Sequence, residues 1–326
     1  MLYPLKFHPL LKATPWGGTR LLAKGELPGG QERVGESWEI STVEEHVSVV
    51  ANGPLAGKTL RELIAAHAGN LVGDAVHERY GVEFPLLVKY IDAREDLSVQ
   101  VHPGDEAARE RHHARGKTEA WFVAGADAGA SLLLGFNRAT SREEFLGYLG
   151  EGRLRELTRV EEARKGDCFF VPAGLLHAIG AGCFIVEIQQ ASDVTYRVYD
   201  YERKDASGNA RELHVELAAG VIDYGYHPSR RVEYVAAENR PVRLVACPYF
   251  TVCLLSMNAT VTRDYSPVDS FVVYTCLEGT FAIDAGAGEP VRVARGETVL
   301  VPAALKRLTL RPSCPTRVLE IFIEKG

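Results

Sequence analysis

The chain has 326 residues, of which 46% are hydrophobic and 25% charged, and it carries a formal net charge of -6. That balance describes a folded protein large enough for two domains or one elaborated barrel, and it leaves no basic footprint for nucleic acid. The opening Met1-Leu2-Tyr3-Pro4-Leu5-Lys6 lacks the continuous apolar run of a secretory signal, and the uncharged stretch from Cys168 to Val186 is interrupted by Pro172, Gly174, His177, Gly180 and Gly182, so neither export nor a membrane helix is expected.

In chain order the elements read mostly as strands. Residues 58–78 predict a helix, because Leu60, Leu63, Ile64 and Leu71 fall at helical spacing and Thr59 can cap the start. Around residues 97–102 the alternation of a strand puts Ser98, Gln100 and His102 on one face and Leu97, Val99 and Val101 on the other. His102-Pro103-Gly104-Asp105 ends that strand and starts a short helix through Ala107–His112. A second helical block opens at Ser141, an N-cap followed by Glu143 and Glu144, and runs through Phe145, Leu146, Leu149 and Leu154 to Leu157. Elsewhere β-branched and aromatic runs punctuated by Gly, Pro and Asp predict a sandwich or barrel. The six cysteines form no CxxC and sit mostly among apolar residues, which predicts small core thiols in a reducing, cytoplasmic setting rather than zinc held by thiolates.

One stretch occurs twice. Lys165-Gly166-Asp167-Cys168-Phe169-Phe170-Val171-Pro172-Ala173-Gly174-Leu175 aligns with Arg295-Gly296-Glu297-Thr298-Val299-Leu300-Val301-Pro302-Ala303-Ala304-Leu305 at a constant offset of 130. Basic-Gly-acidic reads as a turn and Val-Pro as the exit of a strand, so each copy is the same corner of a similar barrel. The second copy has Arg307 where the first has His177, so one barrel can hold a metal ligand that the other lacks.

Gln100, His102, Glu119 and His177 together offer one amide oxygen, two imidazoles and a carboxylate, a mixed set suited to a divalent metal with room for water or substrate. His102 and Glu119 are 17 positions apart and Glu119 and His177 are 58 apart, so only the fold can assemble them. The competing reading of each histidine is a hydrogen-bonded core residue. Lys117 would share a strand face with Glu119, either to reach a substrate or to pair that carboxylate. Tyr199, Asp200, Glu39 and His8 are further candidates for proton transfer or substrate orientation. Trp38 and Trp121 read as packing residues, Gly17-Gly18 as a tight turn, and Arg203 and Lys204 as a solvated loop.

Gly166-Asp167, Pro172, Gly174 and His177 match the second half of a cupin motif, and the tandem pattern resembles the type I mannose-6-phosphate isomerases, especially their shorter bacterial form. The likeness runs through Pro15-Trp16-Gly17-Gly18, Gly35-Glu36-Ser37-Trp38-Glu39, Pro85-Leu86-Leu87-Val88-Lys89, Leu97–Pro103, Gly116-Lys117-Thr118-Glu119-Ala120-Trp121 and Tyr196-Arg197-Val198-Tyr199-Asp200-Tyr201. It implies a mainly β chain of tandem cupin (jelly-roll) barrels with a small helical insertion: a catalytic barrel over residues 1–239 and a metal-free cupin-like barrel over 240–326. It further implies one zinc ion at Gln100, His102, Glu119 and His177, with Arg197 as the catalytic arginine; Lys117 is the candidate that strand alternation adds. The reaction implied is exchange between mannose 6-phosphate and fructose 6-phosphate through an enediol. No GxxxxGK[ST] cradle is present for the phosphate, which leaves Arg197, Lys117 or backbone amides near Trp16-Gly17-Gly18 to hold it. The rivals are a metal-dependent oxygenase and a sugar-binding module without turnover; the oligomeric state stays open, and neither nucleic acid nor membrane is an expected partner.

Overall fold

The computed structural model describes residues 2–25, 32–204, 208–286 and 288–324. The chain is mainly β and forms two compact units that are not contiguous in sequence. One comprises Met1–Leu10, Glu39–Leu87 and Glu233–Gly326, the other Leu11–Trp38 and Val88–Val232. The last crossover, after Val232, falls near the boundary expected at 239, but residues 1–10 and 39–87 belong with the C-terminal segment. No helix among the described residues is long and apolar enough to cross a membrane. All six cysteines are free; four are buried, Cys247 is half-buried and Cys314 is exposed.

In the unit that holds the candidate ligands, one sheet runs Thr158–Glu162, Ser131–Phe136, His177–Ile179, Val99–Val101, Tyr196–Tyr199. Its companion begins Cys168–Val171, Glu119–Ala126, Cys183–Gln190, Leu86–Asp92. Trp121, Val123, Leu132, Leu134, Phe169 and Ile185 pack into one apolar cluster. Alternation sends Val99, Val101 and Ala178 to the opposite face, where Phe145 and Leu154 from the helical block cover them. The sheet is thus apolar on both sides, and its polar residues gather where Gln100, His102 and His177 stand.

The helix expected over residues 58–78 is three helices, Leu60–His67, Gly69–Val72 and Asp74–Tyr80. Thr59 does cap the first, in a capping box with Glu62. Ala68 at φ 46° and Gly73 at φ 98° break the run. Tertiary contact explains the second break: a β-carbon on Gly73 would strike the Asp269 carbonyl, while the Asp269 carboxylate accepts from the Asp74 and Ala75 amides at 2.9 and 3.1 Å. The later block likewise splits into Arg142–Gly150, capped by Ser141, and Leu154–Leu157. The short helix runs Asp105–His112.

The repeat survives in three dimensions. Cys168–Val171 and Thr298–Val301 are strands with bounds at the same offset, each following a left-handed glycine, Gly166 at φ 97° and Gly296 at φ 83°. Phe169 pairs with Trp121 and Trp121 with Glu187, just as Val299 pairs with Tyr274 and Tyr274 with Glu320. The same register sets Val272 at the position of Glu119, and the cross-strand pair Asp264 and Arg307 at that of Gln100 and His177. Arg307 is exposed, 3.6 Å from Asp264. Buried Glu320 is closed off by Arg263 at 2.8 and 2.9 Å and by the Tyr265 and Tyr274 hydroxyls.

Gly296 tests the turn directly, because no atom lies within 4 Å of the place its β-carbon would take. Gly296→Ala is expected to cost about 1 kcal/mol through the left-handed backbone alone. A urea midpoint identical to the parent's would refute the left-handed requirement.

Candidate metal centre and active site

Glu119 opens the Glu119–Ala126 strand opposite Val171, and His177 opens His177–Ile179 opposite Gln100. His102 follows the Val99–Val101 strand, two residues and therefore one face-repeat beyond Gln100. These registers bring ligand atoms of His102, Glu119 and His177 within 4.8 Å of one another, and all three residues are buried. The His102 Nε2 atom lies 3.2 Å from Glu119 Oε1, His177 Nε2 lies 3.8 Å from Glu119 Oε2, and the Gln100 amide nitrogen is 3.4 Å from His177 Nε2.

The tautomers follow from the ring nitrogens facing away. His102 Nδ1 donates to the Val194 carbonyl at 2.9 Å and His177 Nδ1 to the Leu175 carbonyl at 2.8 Å. With the proton on Nδ1, each Nε2 presents a lone pair toward the Glu119 carboxylate. His102 Nε2 is buried without a hydrogen-bond partner. Two imidazole lone pairs facing one carboxylate repel unless a cation stands among them, and this donor set fits a divalent metal.

Electrostatics agree with that form. Burial, reinforced by Lys117, pushes the His102 pKa down to about 3, so the ring is neutral. Burial also lowers His177. For Glu119 burial acts to raise the pKa, but the Lys117 ammonium outweighs it and holds the carboxyl well below its usual range. The Lys117 ammonium is 3.3 Å from Glu119 Oε1 and 4% exposed, so it pairs the carboxylate from within the same interior.

Trp121 links this group to a second buried one. Its indole N–H is shared between Glu119 Oε2 at 3.1 Å and Glu187 Oε2 at 2.9 Å. Lys89 lies 2.9 Å from Glu187 Oε1 and 3.5 Å from Glu36 Oε2, and Trp38 donates to Glu36 at 2.7 Å. Burial, followed by the Glu119 charge, pushes the Glu187 carboxyl upward. Burial works against the Lys89 charge, yet Glu187 and Glu36 carry its pKa above the ordinary value. Lys89, Glu187 and Glu36 were not expected at the site. For Lys89 and Glu187 the signal is a charge inside an apolar strand, Leu-Leu-Val-Lys and Ile-Val-Glu-Ile, since lysine and glutamate are buried only when paired.

Arg197 is the cross-strand neighbour of Gln100. It is half-buried, donates from Nη1 to the Glu212 carbonyl at 3.0 Å, and keeps Nε buried without a partner. A bulge at Val198 then pairs Tyr199 with Val99, turning Tyr199 to the face away from the ligands. Asp200 is held by Arg203 at 2.7 Å and Arg211 at 2.5 Å. Arg203, expected in a solvated loop, is half-buried and also donates to the Asp96 carbonyl at 2.6 Å; Lys204 is exposed. His8 and Glu39 belong to the other unit. At Gly18 a β-carbon would run into the Asp92 carboxylate, which makes this glycine a requirement of close approach. The segment before Glu119 is fixed by Asp105 and Gln190: Gly116 N donates to Asp105, Thr118 N to Gln190 Oε1, and the Gln190 amide to Asp105, all at 2.9–3.0 Å.

The arrangement can hold a cation, and Arg197, half-buried beside Gln100, carries a positive charge that no carboxylate among the described residues of the site neutralises. The model of the catalytic domain of type I phosphomannose isomerase matches residues 5–120. The chain is 37% identical over 314 residues to the mannose-6-phosphate isomerase ManA of Bacillus subtilis (strain 168), spanning 94% of this chain and 95% of that protein. It is 36% identical over 307 residues to the mannose-6-phosphate isomerase of Streptococcus mutans, spanning 94% of each. The crystal structure of the mannose 6-phosphate isomerase from Bacillus subtilis superposes with a TM-score of 0.84 at 30% identity, over 98% of this chain and 99% of that one. With the cupin architecture and this conserved extent, the chain belongs to the type I mannose-6-phosphate isomerase family.

Proposed function

We propose that this chain is a cytoplasmic, zinc-dependent aldose–ketose isomerase that interconverts mannose 6-phosphate and fructose 6-phosphate through an enediol. The observation that carries the reading is the buried His102, Glu119 and His177 group, with both imidazoles neutral and aimed at one carboxylate. Two imidazoles favour zinc over magnesium or calcium, which prefer oxygen throughout. Gln100 would complete the set through its amide oxygen once the amide, whose nitrogen faces His177 Nε2 at 3.4 Å, is turned over. When bound there, zinc would polarise the C1 and C2 oxygens of the open-chain sugar.

The chain's own groups supply the rest. Removing the C2 proton of the aldose leaves an enediol with charge on O1 and O2, and returning a proton at C1 gives the ketose without net redox. Arg197, across the strand from Gln100, places fixed positive charge beside those oxygens. Lys117 stands at the same end and can donate to the oxygen that develops charge. Burial of all three ligands keeps water out and strengthens each of these interactions. Residues 11–38 and 88–232 carry the catalytic barrel, and residues 240–326 belong to a barrel without a metal, where Val272, Asp264 and Arg307 occupy the corresponding register positions.

His102→Ala, Glu119→Ala and His177→Ala are each expected to weaken zinc binding by at least about a hundredfold while the far-ultraviolet circular dichroism stays that of the parent. A coupled assay of mannose 6-phosphate conversion on metal-analysed protein, with and without chelator, reads the consequence; full activity after complete metal removal refutes the zinc site. Elemental analysis is expected to find one zinc per chain. A second zinc located beside Arg307 by anomalous scattering would overturn the metal-free reading of the second barrel.

Arg197→Ala is expected to lower kcat on the order of a hundredfold to a thousandfold with a smaller rise in KM, because its charge meets one that develops only in the transition state. Steady-state kinetics on the folded, zinc-loaded variant decides. An unchanged kcat with a large rise in KM would reassign Arg197 to the substrate phosphate.

A further inference from the structure

Arg197 sits on the Tyr196–Tyr199 strand, the last in its sheet, so one edge faces Val99–Val101 and the other meets no further strand among the described residues. A sheet edge leaves backbone N–H and C=O groups to be paired by something else. At Arg197 one residue pairs both. The His214 amide donates to the Arg197 carbonyl at 2.7 Å, and the Arg197 amide donates to His214 Nδ1 at 3.3 Å. The imidazole thus stands where the carbonyl of a neighbouring strand would be. Its Nδ1 holds the lone pair, which puts the proton of the neutral ring on Nε2.

The same segment reaches the side chain. The Glu212 carbonyl, two residues before His214, accepts from Arg197 Nη1 at 3.0 Å. Among the described residues that carbonyl is the one hydrogen-bond acceptor of the guanidinium, whose Nε is buried without a partner. At the start of the segment Arg211 grips Asp200 through bonds of 2.7 and 2.5 Å. At its end the His214 carbonyl accepts from Ala218 at 2.8 Å and opens the Val215–Ala219 helix, whose Ala218 and Ala219 lie in the apolar cluster that contains Tyr196. Residues 211–214 are therefore a strap, tied to the strand at Asp200 and Arg197 and to the core by a helix.

The ring of His214 has no other evident task. It precedes the helix, where a side chain commonly caps the first turn, yet it makes no capping bond. Its Nε2 is 3.8 Å from Glu212 Oε2, too far for a hydrogen bond. The bulge at Val198 breaks the ladder directly after Arg197, so the strand pairing ends where the arginine must be held.

We propose that His214 is a positioning residue for the isomerase reaction. Acting through the backbone of Arg197, its Nδ1 acceptor fixes the register in which the Glu212 carbonyl orients the guanidinium on the face shared with Gln100. The inference rests on the role proposed above for Arg197. A charge displaced by about 1 Å from its partner in the transition state can cost up to about a hundredfold in rate.

The test is steady-state kinetics on the zinc-loaded full chain with mannose 6-phosphate. His214→Phe keeps a ring beside Tyr196, whose centroid is 6.3 Å away, and removes the acceptor. His214→Asn removes the ring and places Oδ1 near the position of Nδ1. The phenylalanine variant is expected to lose about tenfold in kcat with KM within about twofold of the parent, and the asparagine variant to recover most of that loss. In an Arg197→Ala background His214→Phe is expected to add no further loss, because residues that act as a unit are not additive. Should His214→Phe not fold, His214→Ala takes its place with the same expected result. A packing role predicts the opposite order, parental kcat in His214→Phe and a loss in His214→Asn, and that order overturns the proposal. So does a loss that asparagine does not recover, or a multiplicative loss in the double variant. Parental kcat in Arg197→Ala removes the role of Arg197 itself, which tells that failure apart from a failure of His214.

Discussion

A carboxylate with almost no access to water, Glu119, governs the polar end of the first barrel. Leaving such a group charged in an interior costs several kcal/mol unless it is paired and hydrogen-bonded. Here Lys117 supplies the charge, Trp121 the hydrogen bond, and two neutral imidazoles present lone pairs that a cation would satisfy. Each of these partners comes from a strand start or strand exit, so the registers of the two sheets are constrained by one side chain. A slip of one residue would turn Gln100 and His177 out of the interior and bring Val99 and Ala178 in.

Glu119 also couples to charges further along the wall. Through the Trp121 indole it reaches Glu187, and through Lys89 it reaches Glu36 and Trp38. Alternating signs make a network of buried charges tolerable, because each is stabilised by its neighbours rather than by water. The chain spends this arrangement at one end of the barrel and fills the remainder with Trp121, Val123, Phe169 and Ile185.

The second barrel shows what the same corner becomes without that demand. Glycine turn, strand and strand exit recur at the same offset, so the backbone is shared. Glu320 keeps the register of Glu187, yet Arg263 and two tyrosines close it off completely. Where the first barrel leaves two imidazoles open, the second sets Asp264 against Arg307 on the surface. Shared backbone with altered side chains at a few register positions is enough to separate a donor set from a filled interior.

Much of this was legible in the amino-acid order, for local reasons. Alternation at residues 97–102, the cap at Thr59, the cap at Ser141 and the repeated Gly-acidic turn depend on neighbours a few positions away, and the structure contains all of them. The continuous helix over 58–78 was not legible as three pieces, because its second break answers to Asp269, nearly two hundred positions on. Nor did alternation locate Tyr199, since a bulge moves every later side chain on the strand to the other face. Lys89 and Glu187 announced themselves only as charges in apolar runs, and their partners had to be found across strands. The sequence by itself determined which residue types were available to bind a metal and which strands would carry them. Only the tertiary structure decided that Glu119 would meet His102 and His177, because the separations of 17 and 58 positions are closed by sheet register and not by any local geometry.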